Sequence, residues 1–242
     1  MRTVMITGGG GGIGAALSAG FAAAGDRVIV LDRDGGAAET IAAQVRAHGG
    51  VAEAVNCDVT DPGQVTAMLA GQTALDVLIN NAGIEVRAET GSAEFLTVWR
   101  RVMAVNLDAA ANLTQSSLPF LERAGGSVIN IASIQAQAVL HTANTVYTVS
   151  KAAIAQLTRA QAVEYAPRGV RVNAVAPGIV ETPMIRQAGI DPARFGRFLD
   201  RIPMCRFAMP EEIFGPVAFL ASPAASYVTG AVLPVDGGFL AM

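Results

Sequence analysis

The stretch Thr3–Gly14 reads TVMITGGGGGIG, an apolar run that leads directly into six glycines interrupted only by Ile13. The apolar run predicts a buried strand over Arg2–Thr7, and the alanine-rich residues beyond the glycines predict a helix around Ile13–Ala24. Glycines between a strand and a helix let backbone N–H groups approach a phosphate, and the helix N-terminus favours negative charge. The stretch is therefore typical of a phosphate-binding turn, and the alternative is a plain flexible turn.

The glycines fit two spacings of a dinucleotide-binding turn, and the sequence alone leaves both open. The two spacings are Gly9-x-Gly11-x-x-Gly14 and Thr7-Gly8-x-x-x-Gly12-x-Gly14.

Asp32 supports the dinucleotide interpretation, because it ends the second predicted strand, 18 residues after Gly14. A carboxylate at this place can accept hydrogen bonds from both hydroxyls of an adenosine ribose, and it repels a 2′-phosphate. The glycine turn contains no basic residue that would offset this repulsion. The sequence therefore favours NAD over NADP, although the adjacent Arg33 leaves tolerance of a 2′-phosphate open.

Short apolar runs alternate with longer helical patterns along the whole chain, which predicts repeated β-α-β units and a parallel sheet. The predicted strands are Arg2–Thr7, Arg27–Leu31, Val51–Asn56, Leu75–Asn80, Ser127–Ala132, Val170–Ala176 and Val232–Val235. The predicted helices are Ile13–Ala24, Gly36–His48, Pro62–Gly71, Phe95–Arg123, Thr145–Ala166 and Pro210–Ala221. We predict one doubly wound, Rossmann-type α/β domain over residues 1–242, with a mostly parallel sheet of about seven strands, helices on both faces and a substrate lid over about 179–209.

Composition excludes several classes of protein. The chain is 52% hydrophobic with a net charge of −3, which excludes a disordered chain and gives no positive field for nucleic acid. Cys57 and Cys205 lie far apart, as expected of reduced intracellular thiols, and two histidines add no metal-ligand spacing. We find no signal peptide and no run of ~20 apolar residues. We therefore expect a cytoplasmic protein without a metal site.

Tyr147 and Lys151 form the candidate acid–base pair. They stand four residues apart on a predicted helix and so share one face, and Lys151 is the only lysine among 17 basic residues. A phenol titrates near ~10, but an ammonium ~4 Å away contributes about 4 kcal/mol at an effective dielectric of ~20. Such an attraction would lower the pKa of Tyr147 to roughly 7, which suits general acid–base catalysis. The alternative is a half-buried tyrosine beside a solvated lysine.

Together these motifs resemble the compact, single-domain branch of the short-chain dehydrogenase/reductase family, over essentially the whole chain. Ser133 lies 14 residues before Tyr147, near the usual spacing of the family. Several motifs in the right order are much more specific than any one of them. The other matching segments are Thr7-Gly8-Gly9-Gly10-Gly11-Gly12-Ile13-Gly14, Asp58-Val59, Asn80-Asn81-Ala82-Gly83, Pro177-Gly178 and Thr182.

The resemblance implies a role for each matching residue. Tyr147 would give or take the hydroxyl proton, and Lys151 would hold the nicotinamide ribose and lower the pKa of the phenol. Ser133 would bind the substrate oxygen, and Asn106 would support a water chain. The implied cofactor set is Gly8, Gly11, Gly12, Ile13, Gly14, Asp32, Asp58, Val59, Asn81, Ala82, Gly83, Tyr147, Lys151, Pro177, Gly178, Ile179, Val180 and Thr182.

The resemblance implies reversible hydride transfer between NAD and a secondary alcohol or ketone as the activity. Alternatives are an NADPH-dependent reductase of 3-oxoacyl thioesters and a non-catalytic protein that senses dinucleotides. The substrate itself is not identified. Candidate substrate contacts are Glu85, Arg87, Gln135 and His141.

We also expect a homo-oligomer, most simply a tetramer. The resemblance implies pairing through the helices predicted over Phe95–Arg123 and Thr145–Ala166, and the second carries many small alanines. Closed symmetry makes a dimer or a dimer of dimers the natural outcome. The last four residues, Phe239–Met242, carry no charge, so we expect a neighbouring subunit to bury them, with folding over their own sheet as the alternative.

Overall fold

The structure is a computed structural model, and it describes residues 1–140, 143–182 and 198–242. A seven-stranded sheet forms its centre, with the strands in the order β3-β2-β1-β4-β5-β6-β7 and every neighbouring pair parallel. This confirms the predicted doubly wound α/β fold. The strands are β1 (Thr3–Thr7), β2 (Arg27–Asp32), β3 (Val51–Asn56), β4 (Val77–Asn80), β5 (Ser127–Ile131), β6 (Arg171–Pro177) and β7 (Val232–Val235).

Helices cover both faces of the sheet, as expected when parallel strands are joined by crossovers. Asp34 and Asp61 cap the second and third helices, each accepting two hydrogen bonds from backbone N–H groups of the first turn. The helices are α1 (Gly12–Ala23), α2 (Gly35–Ala47), α3 (Pro62–Ala70), α4 (Phe95–Met103), α5 (Ala109–Ala124), α6 (Thr145–Tyr165) and α7 (Phe214–Leu220).

The central strands bury both of their faces. Val4 and Ile6 of β1 lie in the cluster that contains Leu17 and Phe21 of α1. Met5, between them, lies in the opposite cluster, with residues of α3, α5 and α6. This alternation follows from the two-residue period of a strand. It explains why the strands were readable in the sequence as continuous apolar runs.

The helix predicted over Phe95–Arg123 is not one regular α-helix. A π-helical turn, Ala104–Asp108, separates α4 from α5. Pro210–Ile213, predicted as the first turn of an α-helix, forms a 3-10 turn that leads into α7. Of the predicted lid over 179–209, residues 183–197 lie outside the described residues.

The C-terminal residues differ from expectation. Phe239 is 3% exposed and packs within its own chain, in a cluster with Ile134, Phe198 and Phe207. The expectation that a neighbouring subunit buries it was therefore wrong for this residue, while Met242 remains exposed. Asp236 holds the turn, because its carboxylate accepts from the backbone N–H groups of residues 238 and 240 at 2.9 Å each.

A search of the described helices for a membrane span, by length and apolar character, finds no candidate.

Candidate active site

The candidate site is a cavity of about 440 Å³ at the carboxyl edge of the sheet. It opens beside β1 and β4, where the strand order reverses, and ligands of open α/β sheets bind at such a point. All predicted cofactor residues except Gly14 line it, as do Ser133, Glu85, Arg87 and Gln135. Gly14 and Asn106 lie behind the wall, and His141 lies outside the described residues.

The glycine turn adopts the second of the two spacings. Gly8 and Gly12 have φ of +62° and +53°, in the left-handed region that favours glycine. A Cβ on Gly14 would lie 2.1 Å from the carbonyl oxygen of Gly8, so helix α1 could not pack so closely with any other residue there. Gly11 has an extended backbone and open space where its Cβ would be. The structure therefore does not require glycine at this position, as the spacing Gly9-x-Gly11-x-x-Gly14 would.

A set of hydrogen bonds, here called the Thr7–Asn81 clasp, joins the ends of β1 and β4. Thr7 Oγ1 accepts from the backbone N–H groups of Asn81 and Ala82 at 3.0 and 2.9 Å. Asn81 Nδ2 donates to the carbonyl oxygens of Thr7 and Gly8 at 2.9 and 3.1 Å. Asn81 therefore holds the glycine turn in place through its side chain.

Asp32 stands at the end of β2 beside the glycine turn. Its Oδ2 accepts from the backbone N–H of Gly10, and its Oδ1 accepts from that of Asp34, each at 3.0 Å. A carboxylate oxygen can accept more than one hydrogen bond, so both oxygens keep capacity for ribose hydroxyls. Together with the open turn, this arrangement fits the adenosine half of a dinucleotide.

Two further segments border the cofactor side of the cavity. The Asp58 carboxylate accepts from both the backbone N–H and the hydroxyl of Thr60, at 2.9 and 2.7 Å, which fixes the Asp58–Val59 corner. On the other side, the methyl carbon of Thr182 would lie 3.4 Å from a Cβ on Gly12. Thr182, which follows β6, therefore lies beside the glycine turn.

Ser133, Tyr147 and Lys151 meet at the inner end of the cavity. Ser133 begins a 3-10 turn, Ile134–Ala136, and it hydrogen-bonds the Tyr147 side chain. Lys151 is buried; its Nζ donates to the carbonyl oxygen of Ile131 at 2.7 Å and lies 5.7 Å from the centre of the Tyr147 ring. The three side chains thus converge as the sequence predicted.

The predicted lowering of the Tyr147 pKa is wrong in this structure. Burial, and secondly the negative charge of Glu85, raise the pKa of Tyr147 above its ordinary value of 10, while the hydrogen bond with Ser133 acts in the opposite direction. Burial also lowers the pKa of Lys151 to about 8, so its positive charge is itself disfavoured. The cost of desolvating both groups exceeds the attraction on which the prediction depended.

Asn106 lies in the π-helical turn and connects two parts of the site. Its Oδ1 accepts from the backbone N–H of Ile84 at 2.8 Å, and its Nδ2 donates to the carbonyl oxygen of Ile84 and to Ser150 Oγ, each at 3.0 Å. Ser150 Oγ donates in turn to the carbonyl oxygen of Tyr147 at 2.7 Å. These contacts make Asn106 a positioning residue between the loop after β4 and helix α6.

A polar network, here called the Glu85 network, forms the wall on the substrate side. Asn144 Nδ2 donates to Glu85 Oε1 and to Gln135 Oε1, each at 3.1 Å, and Thr148 Oγ1 donates to Gln135 Oε1 at 3.1 Å. Sequence reasoning missed Asn144 and Thr148. Their signal was present: positions 144, 147, 148 and 151 have the spacing of one helical face, and all four are polar.

Comparison with known proteins agrees with this geometry. The family model described as enoyl-(acyl carrier protein) reductase matches residues 9–240. A galactitol 2-dehydrogenase (L-tagatose-forming) of Cereibacter sphaeroides is 41% identical, over 97% of this chain and 93% of its own. A gluconate 5-dehydrogenase from Burkholderia cenocepacia J2315, solved with NADP and tartrate, superposes with a TM-score of 0.93 at 35% identity, over 100% and 96% of the two chains. A 7α-hydroxysteroid dehydrogenase, solved with NADH and 7-oxo glycochenodeoxycholic acid, superposes with a TM-score of 0.92 at 32% identity, over 98% of this chain and 93% of its own.

The chain therefore belongs to the short-chain dehydrogenase/reductase family, which confirms the resemblance seen in its motifs. It is an NAD(P)-dependent oxidoreductase that transfers a hydride between the nicotinamide cofactor and a secondary alcohol or ketone, a small-molecule substrate.

Gly14→Ala tests the geometry of the glycine turn. We expect the variant to unfold more readily, by about 1–3 kcal/mol, because its Cβ would overlap the carbonyl oxygen of Gly8. Gly11→Ala is the matched control, with a cost below about 1 kcal/mol, since that position is open and its backbone extended. Urea unfolding of the two variants measures the difference, and equal costs would contradict the assigned spacing.

Lys151→Met tests the burial of the ammonium. The folded chain releases the Lys151 proton near pH 8, whereas the unfolded chain keeps it to about pH 10.4, so the unfolded state binds more protons between these values. We expect the free energy of unfolding of the wild type, relative to the variant, to rise with pH across this window. The rise is up to about 3 kcal/mol, at ~1.36 kcal/mol per pKa unit. Urea titrations at several pH values measure it, and a difference independent of pH would contradict the burial.

Proposed function

We propose that this protein oxidises secondary alcohols, and reduces the corresponding ketones, with NAD as the preferred cofactor and Tyr147 as the general acid–base. The observation that carries the proposal is the convergence of Ser133, Tyr147 and Lys151 in the same cavity as an open glycine turn. The glycine turn is shaped for a pyrophosphate, and the three polar side chains stand where a carbinol would react.

When bound, the nicotinamide supplies the hydride chemistry. Residues 8, 11 and 12 of the glycine turn would hold the phosphates, and Lys151 would hold the ribose of the nicotinamide. Ser133 donates a hydrogen bond to the substrate oxygen and steadies the charge that develops there. Tyr147 delivers a proton to that oxygen in ketone reduction and removes it in alcohol oxidation. Asn106 keeps Tyr147 in place through Ser150.

The raised pKa of Tyr147 favours ketone reduction, the direction in which the phenol donates its proton. A protonated phenol is ready to donate, whereas oxidation of an alcohol needs the phenolate. Burial opposes the phenolate most, the charge of Glu85 opposes it secondly, and the hydrogen bond with Ser133 favours it. We therefore propose that alcohol oxidation accelerates with rising pH.

The preference for NAD rests on Asp32. Its carboxylate faces the cavity beside the glycine turn, where it would meet the 2′ position of an adenosine ribose. Among the comparison structures, one was solved with NADP and another with NADH, so the family accepts either cofactor. In this chain the carboxylate disfavours the 2′-phosphate.

We also propose one domain with its lid over about 179–209, acting in the cytoplasm as a homo-oligomer, most simply a tetramer. Both helices implied as the interface carry exposed apolar side chains. Leu96 of α4 is 59% exposed, and Val163 of α6 is 78% exposed. Burial of these side chains against a second copy would remove apolar surface from water.

Tyr147→Phe tests the reaction. We expect kcat to fall roughly 10²–10⁴-fold with NAD binding nearly unchanged, because only the proton transfer is lost. Lys151→Arg should fail by a comparable factor, because a planar guanidinium does not reproduce the compact ammonium that donates to the carbonyl oxygen of Ile131 at 2.7 Å. Reduced-nicotinamide absorbance measures turnover, with the fully exposed Tyr227→Phe as control. Near-wild-type activity of Tyr147→Phe would overturn the proposal.

Asp32→Ala tests cofactor preference. We expect the ratio of kcat/KM for NAD to that for NADP to fall at least about tenfold, or ~1.4 kcal/mol, a fraction of the ~4 kcal/mol between unit charges 4 Å apart at a dielectric of ~20. Asp32→Asn is the matched variant, because its amide oxygen can still accept from Gly10. A wild type that already prefers NADP would overturn the assignment and point to Arg33.

A further inference from the structure

Glu85 is a carboxylate in the wall of a catalytic cavity, and only one of its oxygens has assigned donors. Its Oε1 accepts from Asn144 Nδ2 at 3.1 Å and from Arg87 Nε and Nη2 at 3.3 and 3.2 Å. Within the described ranges, no donor is assigned to Oε2. The side chain is 12% exposed, on a residue that lines the cavity. Oε2 is therefore available to a ligand.

Gln135 offers the complementary group in the same wall. Its Oε1 already accepts from Asn144 and Thr148, each at 3.1 Å. Among the described residues, Nε2 has no assigned acceptor, and the residue lines the cavity. The wall thus presents one charged acceptor and one neutral donor to whatever lies beside Ser133 and Tyr147.

The charge of Glu85 opposes the chemistry proposed for the site, because it disfavours the phenolate of Tyr147. A carboxylate that only hinders proton removal has no evident use, whereas one that binds substrate does. Arg87 contacts the same carboxylate, with its Nη2 3.2 Å from Oε1. A neutral donor therefore suits Oε2 better than a full cation, and an anionic group beside the reacting carbon would be repelled.

We infer that Glu85 Oε2 accepts a hydrogen bond from a hydroxyl on the carbon next to the reacting carbinol, so the enzyme selects vicinal diols and α-hydroxyketones over simple alcohols and ketones. Gln135 Nε2 donates to the same hydroxyl, which can accept as well as donate. This inference rests on the proposed function for the reacting carbon. It adds the chemistry of the neighbouring carbon and assigns it to Glu85 as the specificity-determining residue.

The test compares Glu85→Gln with the wild type on butane-2,3-diol and butan-2-ol. A hydrogen bond to a charged group is lost only for the diol, so kcat/KM for the diol should fall roughly 10- to 100-fold. kcat/KM for butan-2-ol should change much less than that for the diol, and its pH profile should move to lower pH, because the charge of Glu85 no longer opposes the Tyr147 phenolate. Glu89→Gln, an exposed carboxylate on the same loop, is the matched control.

Binding provides a second readout that does not need turnover. In a Tyr147→Phe background with NADH present, ligand-observed NMR should show tighter binding of 3-hydroxybutan-2-one than of butan-2-one. Adding Glu85→Gln should remove that preference. Equal losses on diol and simple alcohol, or no preference in the wild type by either readout, would overturn the inference. If hydride transfer fails with every alcohol but the binding preference follows Glu85, the proposed function fails and the inference stands.

Discussion

The Thr7–Asn81 clasp is the constraint on which the rest of the site depends. Parallel pairing of β1 and β4 creates a crevice where the strand order reverses, but it does not determine the loops beyond the strand ends. The clasp does so with four hydrogen bonds of 2.9–3.1 Å, which join the glycine turn to the loop after β4. That loop continues to Ile84, held by Asn106, and to Glu85 in the substrate wall. One small set of contacts therefore connects the cofactor turn, the catalytic helix and the substrate side.

Most of the fold was predictable, because its elements follow from local periodicity. The strand predicted over Arg27–Leu31 is observed over Arg27–Asp32, and the burial of its four central residues, on both faces of the sheet, explains the agreement. The π-helical turn at Ala104–Asp108 was not predictable, since its residues fit an ordinary helix equally well. Its position is stabilised by a contact distant in sequence, from Asn106 to Ile84. Phe239 was assigned to the wrong partner for a similar reason: an apolar residue predicts burial but not against which surface.

The fold brings together the side chains that the sequence singled out for the site, but the predicted direction of the Tyr147 pKa shift was wrong. Tyr147 and Lys151 share a helical face by spacing alone, and the fold brings Ser133 to them. The predicted lowering of the tyrosine pKa used attraction between charges and left out desolvation, which depends on burial that only the folded chain shows. After burial, the negative charge of Glu85 is the second effect that raises the pKa of Tyr147, and it comes from a loop whose position relative to the helix no sequence spacing reveals.

The packing of Phe239 brings the C-terminal end of the chain close to the candidate active site, whereas the N-terminal end lies away from it. Phe239 lies in one cluster with Ile134, the residue directly after Ser133 of the candidate active site. The first residues enter β1 at its amino end, whereas the cavity lies at the carboxyl edge of the sheet. An affinity tag or fluorescent protein fused after Met242 is therefore attached close to Phe239, which packs against the 3-10 turn that follows Ser133. The same fusion placed before Met1 lies across the full length of the sheet from the reacting atoms.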